Sequence, residues 1–327
     1  MNNVLVTGAS SFLGYHVAKR LNEQGVRSRV LELRDSNLDA LKKLDVIRCE
    51  GHLEDSQALS AACAGVDTVI HLAFKVKFGG GAKLLEEMRE VNLGGTHRLL
   101  EAAAANGVAR VVVASSALAV GVNRQPKALD ETANWAEHAI NLPYAVMRRQ
   151  AEQEALARAK PGFAVVAVCP AFTLGPDDAV GAPANKLLKT LIRGKLPVTL
   201  TVGFGCLDVR DFANGAILAA QHGRSGQRYL LSGHNVTATQ LLEQAAAIAG
   251  VRPPRFEPPK VLLTTLVGAV EIVSKLRRKP APVTRDVLQI IGRYAWYDTS
   301  RARAELGWEP RPLEQTLEDT IRWLREA

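Results

Sequence analysis

Ser115, Ser116, Tyr144 and Arg148 are the residues whose types and spacing fit a single piece of chemistry. The two serines follow Val111-Val112-Val113-Ala114, an apolar run that reads as a buried strand. They therefore stand at its carboxyl end, where open α/β sheets hold their ligands. Arg148 lies four residues beyond Tyr144, one helical turn on, so phenol and guanidinium share a helix face. A free tyrosine ionises near pH ~10, and acting near neutrality takes roughly 4 kcal/mol of help from nearby positive charge. Arg148 supplies part of that charge. With a serine hydroxyl polarising the same oxygen, such a tyrosine gives or takes the proton of a substrate hydroxyl or carbonyl. The same tyrosine–arginine spacing is common on exposed helix faces, so its meaning rests on the elements around it.

One such element opens the chain. Val4-Leu5-Val6-Thr7-Gly8-Ala9-Ser10-Ser11-Phe12-Leu13-Gly14 places a small-residue turn between a buried strand and a helix. Backbone amides at that turn, with the positive end of the helix dipole, can hold a pyrophosphate if no side chain blocks the approach. Gly8 and Gly14 fit this role, while Ser11 stands where a third glycine is expected. Glu32 follows 18 residues after Gly14, at the end of the second strand, where an acid can accept hydrogen bonds from ribose hydroxyls. Glu32 would repel a ribose 2′-phosphate and Arg34 would attract one; the balance tilts to NAD over NADP. A bound nicotinamide would then exchange hydride with the carbon whose oxygen the tyrosine serves.

The elements that must position these groups follow from apolar periodicity. Strands are expected at 3–7, 28–33, 46–50, 68–73, 110–114 and 164–169, with helices between them, the longest over 83–106 and 143–160. This alternation predicts an α/β fold, a doubly wound parallel sheet with a smaller C-terminal lobe. After Pro170, Gly175-Pro176, Gly181, Pro183 and Gly194 punctuate shorter elements. The expected division is a dinucleotide-binding domain over 1–175 with a returning segment near 206–235, and a substrate lobe from 176–205 and 236–327. Tyr229-Leu230-Leu231 reads as a strand returning to the main sheet.

The 327 residues are 47% apolar and 23% charged, which fits a folded globular chain and excludes default disorder. Lys and Arg exceed Asp and Glu by 41 to 33, a balance suited to anionic cofactor and substrate. Cys49, Cys63, Cys169 and Cys206 are scattered, and no His/Cys spacing suggests a metal site. No apolar run is long enough to span a membrane, and the expected location is cytoplasmic. Aromatics at 5% and dispersed basic residues give nucleic acid little to bind.

Taken in order, these landmarks resemble the extended short-chain dehydrogenase/reductase superfamily, the NAD-dependent epimerase/dehydratase type, in particular its dihydroflavonol-reductase-like branch. The resemblance spans nearly the whole chain. It rests on the Thr7–Gly14 turn, His71-Leu72-Ala73, Val91-Asn92-Leu93-Gly94-Gly95-Thr96, Ser115-Ser116 and Tyr144. Later landmarks are Cys169-Pro170 with Gly175-Pro176, Asp208-Val209-Arg210-Asp211, and Ala304-Glu305-Leu306-Gly307-Trp308-Glu309-Pro310. It implies catalysis by Ser116, with Ser115 as the fallback, Tyr144 and Arg148. Cofactor contacts are implied at Gly8, Ser10, Ser11, Phe12, Leu13, Gly14, Glu32, Arg34, His52, Leu53, Ala73, Asn92, Ala114, Tyr144, Arg148 and Pro170. It also implies a homodimer through the two long helices.

Three positions depart from the family pattern: Ser11 for glycine, His52 for an aspartate near adenine, and Arg148 for lysine. Arginine keeps the charge but releases no proton, so the last exchange alters the chemistry. The expected function is an NAD(P)-dependent oxidoreductase acting on a secondary alcohol or ketone. The alternatives are a sugar-nucleotide epimerase and a non-catalytic dinucleotide sensor or scaffold. Two further signals are a mostly apolar stretch over 261–276 followed by Arg277, Arg278 and Lys279, read as a lobe helix or a peripheral membrane contact, and Gly79-Gly80-Gly81, read as a loop at the ligand mouth.

Overall fold

The computed structural model describes residues 1–75, 82–259 and 288–326, with 262–265, 267–268, 270 and 274. The glycine triplet 79–81 and most of the 261–279 stretch lie outside the described residues. Nine strands come first in the chain: β1 (Val4–Thr7), β2 (Arg29–Glu32), β3 (Ile47–Glu50), β4 (Thr68–His71), β5 (Arg110–Ala114), β6 (Ala164–Pro170), β7 (Phe172–Leu174), β8 (Val202–Asp208) and β9 (Arg228–Leu231). Seven of them form one sheet in the order β3-β2-β1-β4-β5-β6-β9, every neighbouring pair parallel. The sheet grows outward from β1 in one direction through β3, then crosses back to β4 and grows in the other. The order therefore reverses between β1 and β4, and the crevice beyond their carboxyl ends is where such a sheet binds ligands.

Both faces of this sheet are covered, which is why its inner strands read as continuous apolar runs. Val4 and Val6 of β1 point with Ile70, Val112 and Val166 toward helices Phe12–Glu23 and Val209–His222. Leu5 points the other way, with Val69, Val111 and Val165, toward Ser56–Cys63 and Gly95–Ala105. Tyr229-Leu230-Leu231 does return to this sheet, pairing with β6.

The helix expected over 83–106 is not uniform. It runs as Ala82–Arg89, a π-helical turn Glu90–Gly94, then Gly95–Ala105. Such turns accommodate an extra residue and are frequent at functional sites; this one turns Asn92 fully inward. The expected helix from 143 ends at Leu156, and Pro143 occupies its first turn, where a missing N–H costs nothing.

A second sheet has the order β10-β8-β11, where β10 is His234–Thr237 and β11 is Arg293–Ala295, and β7 also pairs with β8. Its core joins Leu174 of β7 with Leu188, Leu241, Leu317 and Ile321 from surrounding helices. The two sheets meet where β8 runs into helix Val209–His222. Asp208 caps that helix by accepting from the Arg210 amide at 2.8 Å, and it also accepts from the Arg210 guanidinium at 2.9 and 2.7 Å. Arg311 bonds Asp211 at 2.8–3.0 Å, and the buried Trp308 indole donates to the Asp211 carbonyl at 2.8 Å. The late landmarks of the sequence are thus one clamp that fastens the C-terminal segment to the sheet.

Burial alone would raise the Asp208 carboxyl, but hydrogen bonds from Arg210 and the charges of Arg311 and Arg210 outweigh it and hold the group below the usual carboxylate range. A depressed folded-state value contributes stability that is present above the unfolded value and lost as pH falls through the folded one. Asp208→Asn is expected to lower unfolding free energy at pH 7 by about 2 kcal/mol. Denaturant titrations at falling pH should show the gap between the two proteins closing below pH ~4.

Candidate active site

The site is assembled around the exit of β4, where three consecutive residues each hold a different part of it. Ala73 is the first. Gly8 adopts φ +74°, and a Cβ there would lie 2.7 Å from the Ala73 backbone. Only glycine meets both the left-handed backbone and the close approach. At Gly14 a Cβ would overlap the Gly8 carbonyl, so helix and turn are in backbone contact.

Ser11, the residue standing in for glycine, caps the helix. Its hydroxyl donates to the Gly8 carbonyl at 2.7 Å and accepts from the Gly14 amide at 3.1 Å. The side chain is folded into the turn, and the amides of Phe12 and Leu13, in the first helical turn, have no acceptor within the helix. These features fit a dinucleotide diphosphate: two positions where a side chain is sterically excluded, and a helix N-terminus facing the crevice.

Glu32 is buried, and both its oxygens are engaged, accepting from the Ser10 amide at 2.8 Å and the Ser10 hydroxyl at 2.6 Å. The acid therefore ties the end of β2 to the glycine turn. Arg34 is 87% exposed in its side chain and pairs at 3.9 Å with Glu50. His52 is exposed, and Leu53 packs on Gly95 while its carbonyl accepts from Arg98 at 3.1 Å. Thus Gly8, Ser10, Ser11, Gly14 and Glu32 are brought into one network, with Arg34 and His52 outside it.

A buried relay supports the turn from beneath. The Thr96 hydroxyl donates to the Asn92 carbonyl at 2.6 Å, so it accepts from His71 Nε2–H at 3.0 Å. That tautomer leaves His71 Nδ1 to accept from the Thr7 hydroxyl at 2.7 Å, and the Ala73 amide donates to Thr7 Oγ1 at 3.3 Å. Burial, reinforced by the charge of Arg148, pushes His71 down to about 3, so it stays neutral at physiological pH. The Asn92 side chain accepts from the Lys75 amide at 2.7 Å and donates to the Lys75 carbonyl at 3.0 Å. Lys75 is the third residue of the β4 exit, and the π turn is what aims Asn92 at it.

Phe74, between them, meets the catalytic candidates. The Arg148 guanidinium carbon lies 3.4 Å from the Phe74 ring centroid and 5.4 Å from that of Tyr144. Phe74 and Tyr144 meet edge to face at 6.4 Å. Arg148 is buried, donates to the Ala114 carbonyl at 2.7 Å, and hydrogen-bonds Tyr144. Burial lowers its pKa, and the interaction with Tyr144 opposes that. The cation of helix Pro143–Leu156 is thereby fixed to the strand that delivers Ser115 and Ser116.

Ser116 caps the short turn Ala117–Ala119, accepting from the Leu118 amide at 3.3 Å. Ser115 Oγ is fully buried, and its amide bonds β6 at Val168, so Ser116 is the serine nearer the crevice surface. Pro170 ends β6 opposite Leu231. The loop after Ser116 is held from a distance: Tyr297 donates to the Gly121 carbonyl at 2.9 Å, and Asn123 and Tyr294 exchange backbone bonds at 2.9 and 2.8 Å. Thr7, His71 and Thr96 stand in the sequence landmarks without a role assigned to them, and Phe74 and Tyr297 are members of this site that sequence reasoning missed. For His71 the signal was its place beside Ala73 at the end of a buried strand. Among the described residues there is no cluster able to hold a metal ion and no helix long and apolar enough to cross a membrane.

A glycine turn at the switch point of a parallel sheet, with a tyrosine and a cation across the crevice, defines a dinucleotide-binding α/β enzyme of the extended short-chain type. The chain belongs to the NAD-dependent epimerase/dehydratase family, whose model matches residues 4–232. It is 30% identical over 325 residues to sterol demethylase protein B of Methylococcus capsulatus, covering 98% of each chain. It is 28% identical to the 2-alkyl-3-oxoalkanoate reductase of Stenotrophomonas maltophilia, covering 99% of this chain and 98% of the relative. Among solved structures it matches that of gox2253 at 29% identity and TM-score 0.85, over 100% of this chain and 98% of that one.

Gly8→Ala is expected to weaken NADH binding by at least tenfold, because the turn must open away from Ala73. Ser10→Ala, which frees Glu32 from one charged hydrogen bond, should weaken it by about tenfold. Titrating NADH fluorescence against each variant checks both.

Proposed function

We propose that the protein is an NAD(P)-dependent oxidoreductase interconverting a ketone and a secondary alcohol, with Tyr144 as general acid/base. The observation that carries this reading is the bond from Arg148 to the Ala114 carbonyl, which holds phenol, cation and the Ser115-Ser116 strand end in one constellation. When bound, the dinucleotide supplies or accepts the hydride. In the reducing direction Tyr144 gives its proton to the carbonyl oxygen as negative charge grows there, and the Ser116 hydroxyl donates a hydrogen bond to the same atom. Arg148 keeps its proton throughout; its charge stabilises the phenolate that remains until solvent returns a proton.

On this reading Gly8 and the turn Ser10-Ser11-Phe12-Leu13-Gly14 hold the diphosphate. Glu32 meets the adenosine ribose, with Arg34, His52 and Leu53 around the adenine end. Ala73, Asn92, Ala114 and Pro170 line or support the nicotinamide end, and the elements over 176–205 and 236–327 enclose the substrate. Glu32 still favours NAD, because its carboxylate remains beside the turn. Relatives named as a 2-alkyl-3-oxoalkanoate reductase and a 3 beta-hydroxysteroid dehydrogenase favour an apolar ketone over a sugar nucleotide. A homodimer would use the helices over 82–105 and Pro143–Leu156, where Val146 is 44% exposed.

The deciding experiment is a panel of 2-alkyl-3-oxoalkanoates, 3-ketosteroids and UDP-sugars, assayed with NADH and NADPH. Oxidation of cofactor by a ketone supports the proposal. Interconversion of a UDP-sugar without net cofactor turnover identifies an epimerase instead, and dinucleotide binding without either reaction identifies a sensor. Tyr144→Phe should lower kcat by roughly 10²–10⁴-fold with NADH affinity retained; unchanged turnover would remove Tyr144 from the mechanism.

A further inference from the structure

The family pattern has lysine where this chain has Arg148, and the structure offers a physical partner for that exchange. Arg148 is 7% exposed; it bonds the Ala114 carbonyl through Nη1 and also bonds Tyr144, while its Nε is buried without a hydrogen bond. A buried cation with its Nε unbonded needs another source of stabilisation for the water it has lost. The Phe74 face, 3.4 Å from the guanidinium carbon, provides it through the ring quadrupole. A planar guanidinium can lie flat on such a ring, whereas an ammonium is a hydrated point charge that cannot stack.

The backbone that carries Phe74 is held on both sides. On one side the Ala73 amide is bonded to Thr7 at 3.3 Å, and on the other Lys75 is held through both backbone groups by Asn92 at 2.7 and 3.0 Å. The ring also presents edge to face against Tyr144, with an interplanar angle of 87°. It therefore touches both the phenol and the cation from a fixed backbone.

We propose that Phe74 is a positioning residue for the reaction: its ring is the plate on which Arg148 is fixed beside Tyr144, and it is what allows arginine to take the place of lysine. This rests on the reading of Tyr144 as the general acid/base. Arg148 then serves as an immobile positive charge, and the β4 exit, already bound to the glycine turn, sets the geometry of the catalytic helix as well.

The test combines a spectroscopic and a kinetic readout. In ¹⁵N-labelled protein the Arg148 Nε–H resonance is assigned by its disappearance in Arg148→Lys. In the native protein it should be shifted upfield by the ring current and exchange slowly with solvent. Phe74→Leu, of similar volume without a π face, should remove the upfield shift and speed the exchange, whereas Phe74→Tyr should preserve both. With a ketone from the panel that the native protein reduces, Phe74→Leu should lower kcat about tenfold and leave the KM for NADH within roughly twofold. Phe74→Tyr should restore kcat, and Phe74→Leu should cost little more in an Arg148→Lys background, where the stack is already lost.

A resonance indifferent to Phe74→Leu, or a kcat unaffected by that variant in an active enzyme, would overturn the proposal while leaving the oxidoreductase reading intact. If the resonance behaves as expected but no ketone is reduced, the reading of function falls and the stack itself stands. Thermal unfolding of Phe74→Tyr guards against loss of fold as a trivial explanation.

Discussion

The approach of the Gly8 backbone to Ala73 is the constraint on which the site depends. It is a contact between the ends of two neighbouring strands at the point where strand order reverses, and it leaves no room for a side chain. Because it is so close, anything that moves β4 moves the glycine turn. The relay from Thr7 through His71 and Thr96 to Asn92 acts on the same spot from below, and the neutral histidine lets it work without burying a charge. The glycine turn and the helix bearing Tyr144 and Arg148 are consequently parts of one packed unit, joined through three successive residues of a single strand exit.

The departures from the family pattern have local compensations. Ser11 turns its hydroxyl inward and caps the helix that a glycine would leave uncapped. Arg148 finds a carbonyl and an aromatic face suited to a planar cation. His52 differs: it stands exposed, and nothing in the structure explains its replacing an acid. Substitutions at tightly packed positions come with partners, whereas an exposed one needs none.

Much of the main sheet could be read from the chain because its strands are buried on both faces and flanked by glycine turns, so local pattern and tertiary environment agree. Val111–Ala114 and the serines after it are such a case. The π turn could not be read, since Lys83 to Asn106 has helical periodicity throughout and the inserted residue only shows in three dimensions. Strands β7, β8, β10 and β11 are likewise hidden in the sequence, because β7, β10 and β11 are short, β8 is interrupted by Gly203 and Gly205, and they pair across long sequence separations. Glu32 illustrates a subtler gap. Its type and position suggested a ribose ligand, but its engagement with Ser10, 22 residues away, is visible only once the turn is folded. Phe74 had no signal at all, because an aromatic residue after a buried strand is ordinary until its neighbour across the crevice is known.

The bond from Tyr297 to the Gly121 carbonyl joins positions 176 residues apart, and β11 pairs with the loop after Ser116 on the same side. A chain emerging from the ribosome can assemble the strands around its nucleotide crevice once β6 has formed, but the loop carrying the serine stays unsecured until Tyr294 and Tyr297 are made. Synthesis thus separates the two halves of the site in time: a nascent fragment ending before Tyr297 would have the means to grip a dinucleotide and lack a settled place to present a substrate.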